Sequence, residues 1–203
     1  MSFFHRSPLH HAVRTLVLTA VLGVIFAVGF SFFLPLHYGS TVRVFVTQTS
    51  ATGLDPYTAV KTSERVAQSL SELLHTTTFF TGTMSSAMGF DLNYFPNDDL
   101  ERRKLWENSV KAKIEPNTGI MAITAFHPLR EQAHILANAI GQQLVEVSPT
   151  YFGTGVSVKV IDAPLDSRWF AKPNFLVNGL LGAFIGLLFG AGWLLVKAGR
   201  HIW

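Results

Sequence analysis

Two uncharged apolar runs, residues 15–36 and 175–196, constrain the fold more than any other feature of the sequence. Each is 22 residues long. A helix of that length rises about 33 Å, enough to cross a hydrocarbon core of about 30 Å. The expected layout is a cytoplasmic stub at 1–14, a first transmembrane helix at 15–36, one folded domain at 37–172, a second transmembrane helix at 175–196 and a short tail at 197–203. A cleaved signal peptide would have a shorter apolar core and small residues at its cleavage site. Phe32, Phe33 and Leu34 stand there instead, so the first run reads as an anchor.

Charge sets the expected orientation. The central segment holds all 13 acidic residues and 12 of the 16 lysines and arginines, whereas the flanks carry Arg6, Arg14, Lys197 and Arg200 and no acid. By the positive-inside rule both termini are expected in the cytoplasm, with the domain exported. The pI near 9.3 then reflects membrane-flanking charge, and gives no nucleic-acid footprint. The absence of cysteine excludes a disulfide framework and any thiolate site.

Within the domain, hydrophobic periodicity orders the elements. Val42, Val44 and Val46 alternate with Arg43, Phe45 and Thr47, which predicts a strand directly after the first span. Gly, Asp and Pro in 51–56 predict a turn. Val60, Ser63, Ala67, Leu70 and Leu74 recur at helical spacing over 57–75, with Lys61, Glu64, Arg65 and Glu72 on the other face. Phe80, Met84, Ala87 and Met88 suit a short helix followed by a loop, and Phe79, Phe90, Tyr94 and Phe95 read as core and loop anchors. Asn97 or Asp98 is expected to cap a helix ending near Asn108.

Pro116, Asn117 and Gly119 between VKAKIE and IMAITAF predict a hairpin. His127 and Pro128 then open a helix whose buried stripe is Ala133, Leu136, Ala137, Ile140 and Leu144. After a turn at 151–155, Val156, Val158 and Val160 alternate with Ser157, Lys159 and Ile161 as a last strand. Pro164 and Pro173 bracket a connector that is neither regular helix nor central strand. Both terminal strands adjoin a span, so they are expected to be neighbours. The fold class is α/β (α+β), a small mixed sheet covered by amphipathic helices and flanked by two transmembrane helices.

Catalytic chemistry has no visible carrier. The sequence lacks a Gly-rich phosphate loop, HExxH and a nucleophile elbow. His5, His10 and His11 have no ligand spacing on one element. Glu131 and His134 lie three apart on a helix but read as a surface pair, because a carboxylate-bridged metal site needs a second such pair. Asp162 and Asp166 invite comparison with paired glycosidase carboxylates, and read instead as solvated turn residues. No enzyme activity, metal or cofactor is expected. Gly182, Gly186 and Gly190 recur every four residues, a stripe on which another helix can pack closely, with Gly179 and Gly192 adding small-residue content. The partner helix is either the first span or a neighbouring copy.

Four stretches, in this order, resemble the Wzz-type polysaccharide chain-length determinants, also called polysaccharide co-polymerases. They are YGSTVRVFV, KIEPNTGIMAITAFHPLREQAHILANAIGQQL with its Ala137–Asn138 pair, VKVIDAPLDSRWFAKPN, and the glycine-spaced last span. The chain departs from the family in having only two prolines in the connector, with Asp166, Arg168 and Trp169 between them. Residues 100–108 are too few for the family's long helical arm. The resemblance implies a non-catalytic protein in a homo-oligomeric ring in the membrane lipid. Such a ring would work with a separate polysaccharide polymerase and its lipid-linked glycan, regulating the chain length or export of O-antigen, capsule or exopolysaccharide. Two alternatives remain at this stage. One is an adaptor for a cytoplasmic tyrosine kinase, disfavoured by the brevity of KAGRHIW. The other is a ligand-sensing or scaffold domain.

Overall fold

A computed structural model describes residues 8–48 and 55–199. Most of the turn expected at 51–56 lies outside the described residues, as do His5, Arg6, Arg200 and Trp203. The chain divides into two compact units: an α/β unit, His37–Ala171, and a helical unit formed by the segments on either side of it.

The α/β unit is built on four strands, β1 (Tyr38–Gln48), β2 (Val110–Ile114), β3 (Ile120–His127) and β4 (Val156–Asp166), in the order β2-β3-β1-β4. Every pairing is antiparallel, so the sheet is not mixed as expected. The reason is topological. The chain enters along β1 and leaves along β4, and these strands lie side by side in opposite directions, with Ser40 opposite Asp166. The Ala171 amide donates to the His37 carbonyl at 2.8 Å, so the two ends of the unit emerge together.

One face of this sheet is covered by helices α2 (Pro56–Leu73) and α5 (Arg130–Phe152). Val42, Val44 and Val46 meet Ala67, Leu70 and Leu74 from the α2 segment and Leu136, Ala137, Ile140 and Leu144 from α5 in one buried cluster. Removing a leucine or isoleucine of this size from water contributes about 1.5–3 kcal/mol. The Asp55 carboxylate caps α2 by accepting from the amides of Tyr57 and Thr58 at 3.0 and 3.2 Å. Bonds to Thr58 hold its pKa below the usual carboxylate value.

The short helices α3 (Thr77–Ser86) and α4 (Asp99–Ser109) complete the unit, α3 against α5 and α4 against β2 and β3, with a 3-10 turn at Leu92–Tyr94 in the intervening loop. Asp98, one of the two expected caps, accepts from the amides of Leu100 and Glu101. Phe80 packs edge-on against both Phe95 and Trp106 with ring centroids 5.1 Å apart, so the expected aromatic anchors are core. At the β2–β3 turn Gly119 has φ 69°, and a Cβ there would stand 2.8 Å from the Val46 carbonyl oxygen. Glycine is therefore required both by backbone conformation and by space.

Helix α5 starts three residues later than the His127–Pro128 signal and continues through Pro149 to Phe152. Proline supplies no amide for the carbonyl four residues back. The Ser148 hydroxyl donates to that carbonyl, Val145 O, at 3.2 Å, which explains how the helix persists.

In the helical unit, α1 (Pro8–Ser31) and α6 (Phe175–Gly199) pack antiparallel. The first helix is displaced from the expected 15–36. Arg14 does not interrupt it, and tightened i→i+3 bonds from the amides of Phe32, Phe33 and Leu34 end it before Pro35. His10–Ser31 and Phe175–Lys197 are each long and apolar enough to cross a membrane. Neither is a buried core helix, since the most apolar window is 0% buried in the first and 22% in the second.

Candidate functional site

Alternation along the strands divides the sheet into a helix-covered face and an open one. Gly39, Thr41, Arg43 and Phe45 of β1 point away from the valine core, and the register places Thr124 and Ala122 of β3 beside Thr41 and Arg43. On the far side, Lys111 and Lys113 of β2 stand opposite Thr124 and Ala122. On the near side, Asp162 and Lys159 of β4 stand opposite Arg43 and Phe45. The result is a face whose central strands carry Thr41, Arg43, Phe45, Ala122 and Thr124, between Lys111 and Lys113 on one edge strand and Lys159 and Asp162 on the other.

A groove of about 530 Å³ occupies the β1–β4 part of this face, lined by Thr41, Arg43, Thr124, Asp162, Leu165 and Ser167 among others. Its polar groups come in pairs. The Thr41 and Thr124 hydroxyls lie 2.8 Å apart, and Arg43 meets Asp162 at 3.5 Å. The Ser167 hydroxyl accepts from the Gly39 amide at 3.0 Å, and the Ser167 carbonyl accepts from the Arg130 guanidinium. Outside this groove, at the β2 edge of the same face, Lys113 contacts Glu115 at 3.2 Å. Donors and acceptors are thus fixed in place along a shallow, solvent-open surface.

This groove depends on irregularity in β4. Its pairing with β1 shifts between Thr41 and Arg43 and again between Arg43 and Val44. Pro164 falls in the first of these bulges, on the edge strand of the sheet. A proline is tolerated there because no ladder bond from its nitrogen is needed. The strand therefore continues past Pro164 to Asp166, so the connector is shorter than expected. Pro173 follows a cis peptide bond in the helical unit.

The glycine stripe lies in the helical unit, packed on α1 of the same chain. A Cβ at Gly182 would strike Gly23 and Ala27, one at Gly186 would strike Thr19 and Ala20, and one at Gly190 would meet Thr19 and Leu16. Gly179 joins the stripe beside Val28, whereas Gly192 faces open space. Polar groups in the seam are satisfied: Thr19 donates to Leu16 O at 3.0 Å, and Asn178 donates to the Ser31 hydroxyl at 2.8 Å. Beside the seam runs an apolar groove of about 540 Å³ edged by Leu22, Phe26, Phe30, Ile185 and Phe189.

The remaining candidates are rearranged by tertiary contacts. His134 pairs with Asp166 at 3.0 Å, from α5 to β4, and not with Glu131. Asp166 also accepts from the buried Ser40 hydroxyl at 2.7 Å, so it is an anchored strand residue instead of a solvated turn residue. Asp162 and Asp166 have different partners on opposite faces and form no carboxylate pair. Ser40, Asp166 and His134 are not a nucleophile triad either, because the carboxylate and not the imidazole lies next to the serine. His10 and His11 are exposed on α1. Among the described residues no group of three or more His, Cys, Asp or Glu could hold a metal ion.

One histidine escaped the sequence reading. His127 is buried, and its Nδ1 accepts from the Leu129 amide at 3.0 Å, which leaves the proton on Nε2. Nε2 is enclosed without a hydrogen-bond partner against the Tyr94 and Phe90 rings, at centroid separations of 4.2 and 5.6 Å. Burial pushes its pKa down, and His37 nearby adds to the effect. Only the placement of His127 at the inward end of β3 could have signalled this.

No protein-family model matches the chain, and no curated protein matches it.

Proposed function

We propose that the chain is a non-catalytic membrane protein of the polysaccharide co-polymerase type. It assembles into a homo-oligomeric ring in the plasma membrane and biases the length or export of a surface polysaccharide made by a separate polymerase on lipid-linked repeats. The observation that carries the reading is the pairing of β1 with β4. The first and last strands of the α/β unit lie together, so a domain inserted between two spans can return the chain to the bilayer where it left. Support also comes from the four ordered sequence stretches and from the exposed apolar sides of α1 and α6, which require a nonpolar medium.

On this reading both termini are cytoplasmic and the α/β unit is exported, as the flanking Arg14 and Lys197 favour. Lacking a long arm, the protein acts through its membrane-proximal base. The mass of the protein in nanodiscs tests the assembly. A discrete high-order oligomer is the expected result, and a monomer at micromolar concentration would remove the ring mechanism.

A further inference from the structure

The uncovered face of the sheet carries an inference that rests on the co-polymerase reading and deepens it. We propose that this face binds an acidic polysaccharide, with carboxylates on its sugar units, across Thr41, Arg43 and Thr124 of the central strands and between Lys111 and Lys113 on one edge strand and Lys159 on the other.

Three observations select this occupant. The first is charge. The α/β unit as a whole has more acids than bases, yet its open face sets four cations against Asp162 and Glu115. A surface positive within a negative domain attracts anions selectively. The second is how that charge is spread. Lys111 and Lys113 are two residues apart on one strand, about 6.8 Å, and Arg43 lies two strands from Lys113, about 10 Å. Backbone positions spread in this way along and across strands can set charges one per sugar along a chain, and the pyrophosphate comparison below separates that from a single phosphate group.

The third is the lining. It offers hydroxyls at Thr41, Thr124 and Ser167, the Arg43–Asp162 donor–acceptor pair and small apolar surface at Ala163 and Ala171, in a groove of about 530 Å³. Sugars present hydroxyls and C–H faces of matching chemistry, and a volume of this order holds a small ligand or oligomer segment. A protein partner would instead be met by a central aromatic anchor in a dry pocket. The large apolar side chain lining this groove is Leu165, 77% exposed.

The test uses full-length protein in nanodiscs of neutral phosphatidylcholine, titrated with oligogalacturonate, with neutral malto-oligosaccharide and with pyrophosphate, for wild type and Lys111→Gln/Lys113→Gln. Both lysines are solvent-exposed, and a thermal melt checks that the variant is folded. Oligogalacturonate is expected to bind wild type, more weakly as salt rises, and the variant about tenfold more weakly. Neutral oligomers are expected to bind far less. Equal binding by the variant, no binding of oligogalacturonate, or pyrophosphate binding as tightly as the oligomer would each overturn the proposal. So would glycan-free self-association that the double substitution abolishes, because a second copy would then be the occupant. A deletion strain separates this from the underlying reading. Failure to bind with glycan length altered in the deletion rejects the site alone; binding with glycan length unaltered leaves the site and rejects the co-polymerase role.

Discussion

Trp106 and His127 show how single residues secure the helix-covered side of the sheet. The Trp106 indole donates to the Leu74 carbonyl at 2.7 Å from a fully buried position, closing the C-terminal end of α2 while its ring meets Phe80. Trp106→Phe keeps a ring in the aromatic cluster, leaves a small void where the indole was larger, and strands that carbonyl. A loss of about 2 kcal/mol in chemical denaturation is expected. His127 links stability to pH. In the unfolded chain it takes a proton near its ordinary value of 6.5, whereas in the fold burial opposes the charged form and outweighs the backbone of Leu129 and Asp91, which favour protonation, with His37 adding to the opposition. The unfolded state therefore binds more protons as pH falls through 6.5, and stability declines in that window. His127→Phe should flatten the unfolding midpoint between pH 7.5 and 5.5 relative to wild type, whatever its absolute stability. The apolar stripes were legible at this scale because burial follows period. The pairings of His134, Asp166 and Ser40 were not, since they join residues far apart in the chain that no local pattern relates.

At the scale of elements, α5 and β4 both outrun their sequence signals, each by accommodating a proline. Ser148 supplies the donor that Pro149 lacks, and the edge of the sheet excuses Pro164 from donating at all. Sequence reasoning saw the breaker at Pro164 but not the remedy, so it ended the strand early, and it placed the turn after α5 at 151–155, over the helix's last two residues. The glycine seam was legible as a packing surface. Its partner was open from sequence, and the structure places the seam on α1 of the same chain. A native chain without cysteine permits a clean check. Val28→Cys with Gly179→Cys is expected to cross-link within one chain, leaving the mass unchanged on a non-reducing gel. Adding Gly186→Leu, whose side chain would meet Thr19 and Ala20, should cut the yield severalfold. A covalent dimer in place of the internal link would assign the seam to a neighbouring copy.

For the whole molecule, the presence of two long apolar helices on either side of one α/β unit was legible because two long uncharged runs are a property of composition. The α/β class and the adjacency of β1 and β4 followed from that layout, while the all-antiparallel sheet and the open charged face depend on strand register. On the co-polymerase reading proposed above, the protein sets the length of a surface glycan. The most direct measurement is the length distribution of surface polysaccharide from a strain lacking the chain, compared with the same strain carrying it in trans. A modal length that disappears in the deletion and returns on complementation is the predicted result. An unchanged distribution in a strain that still makes the polymer would contradict the account.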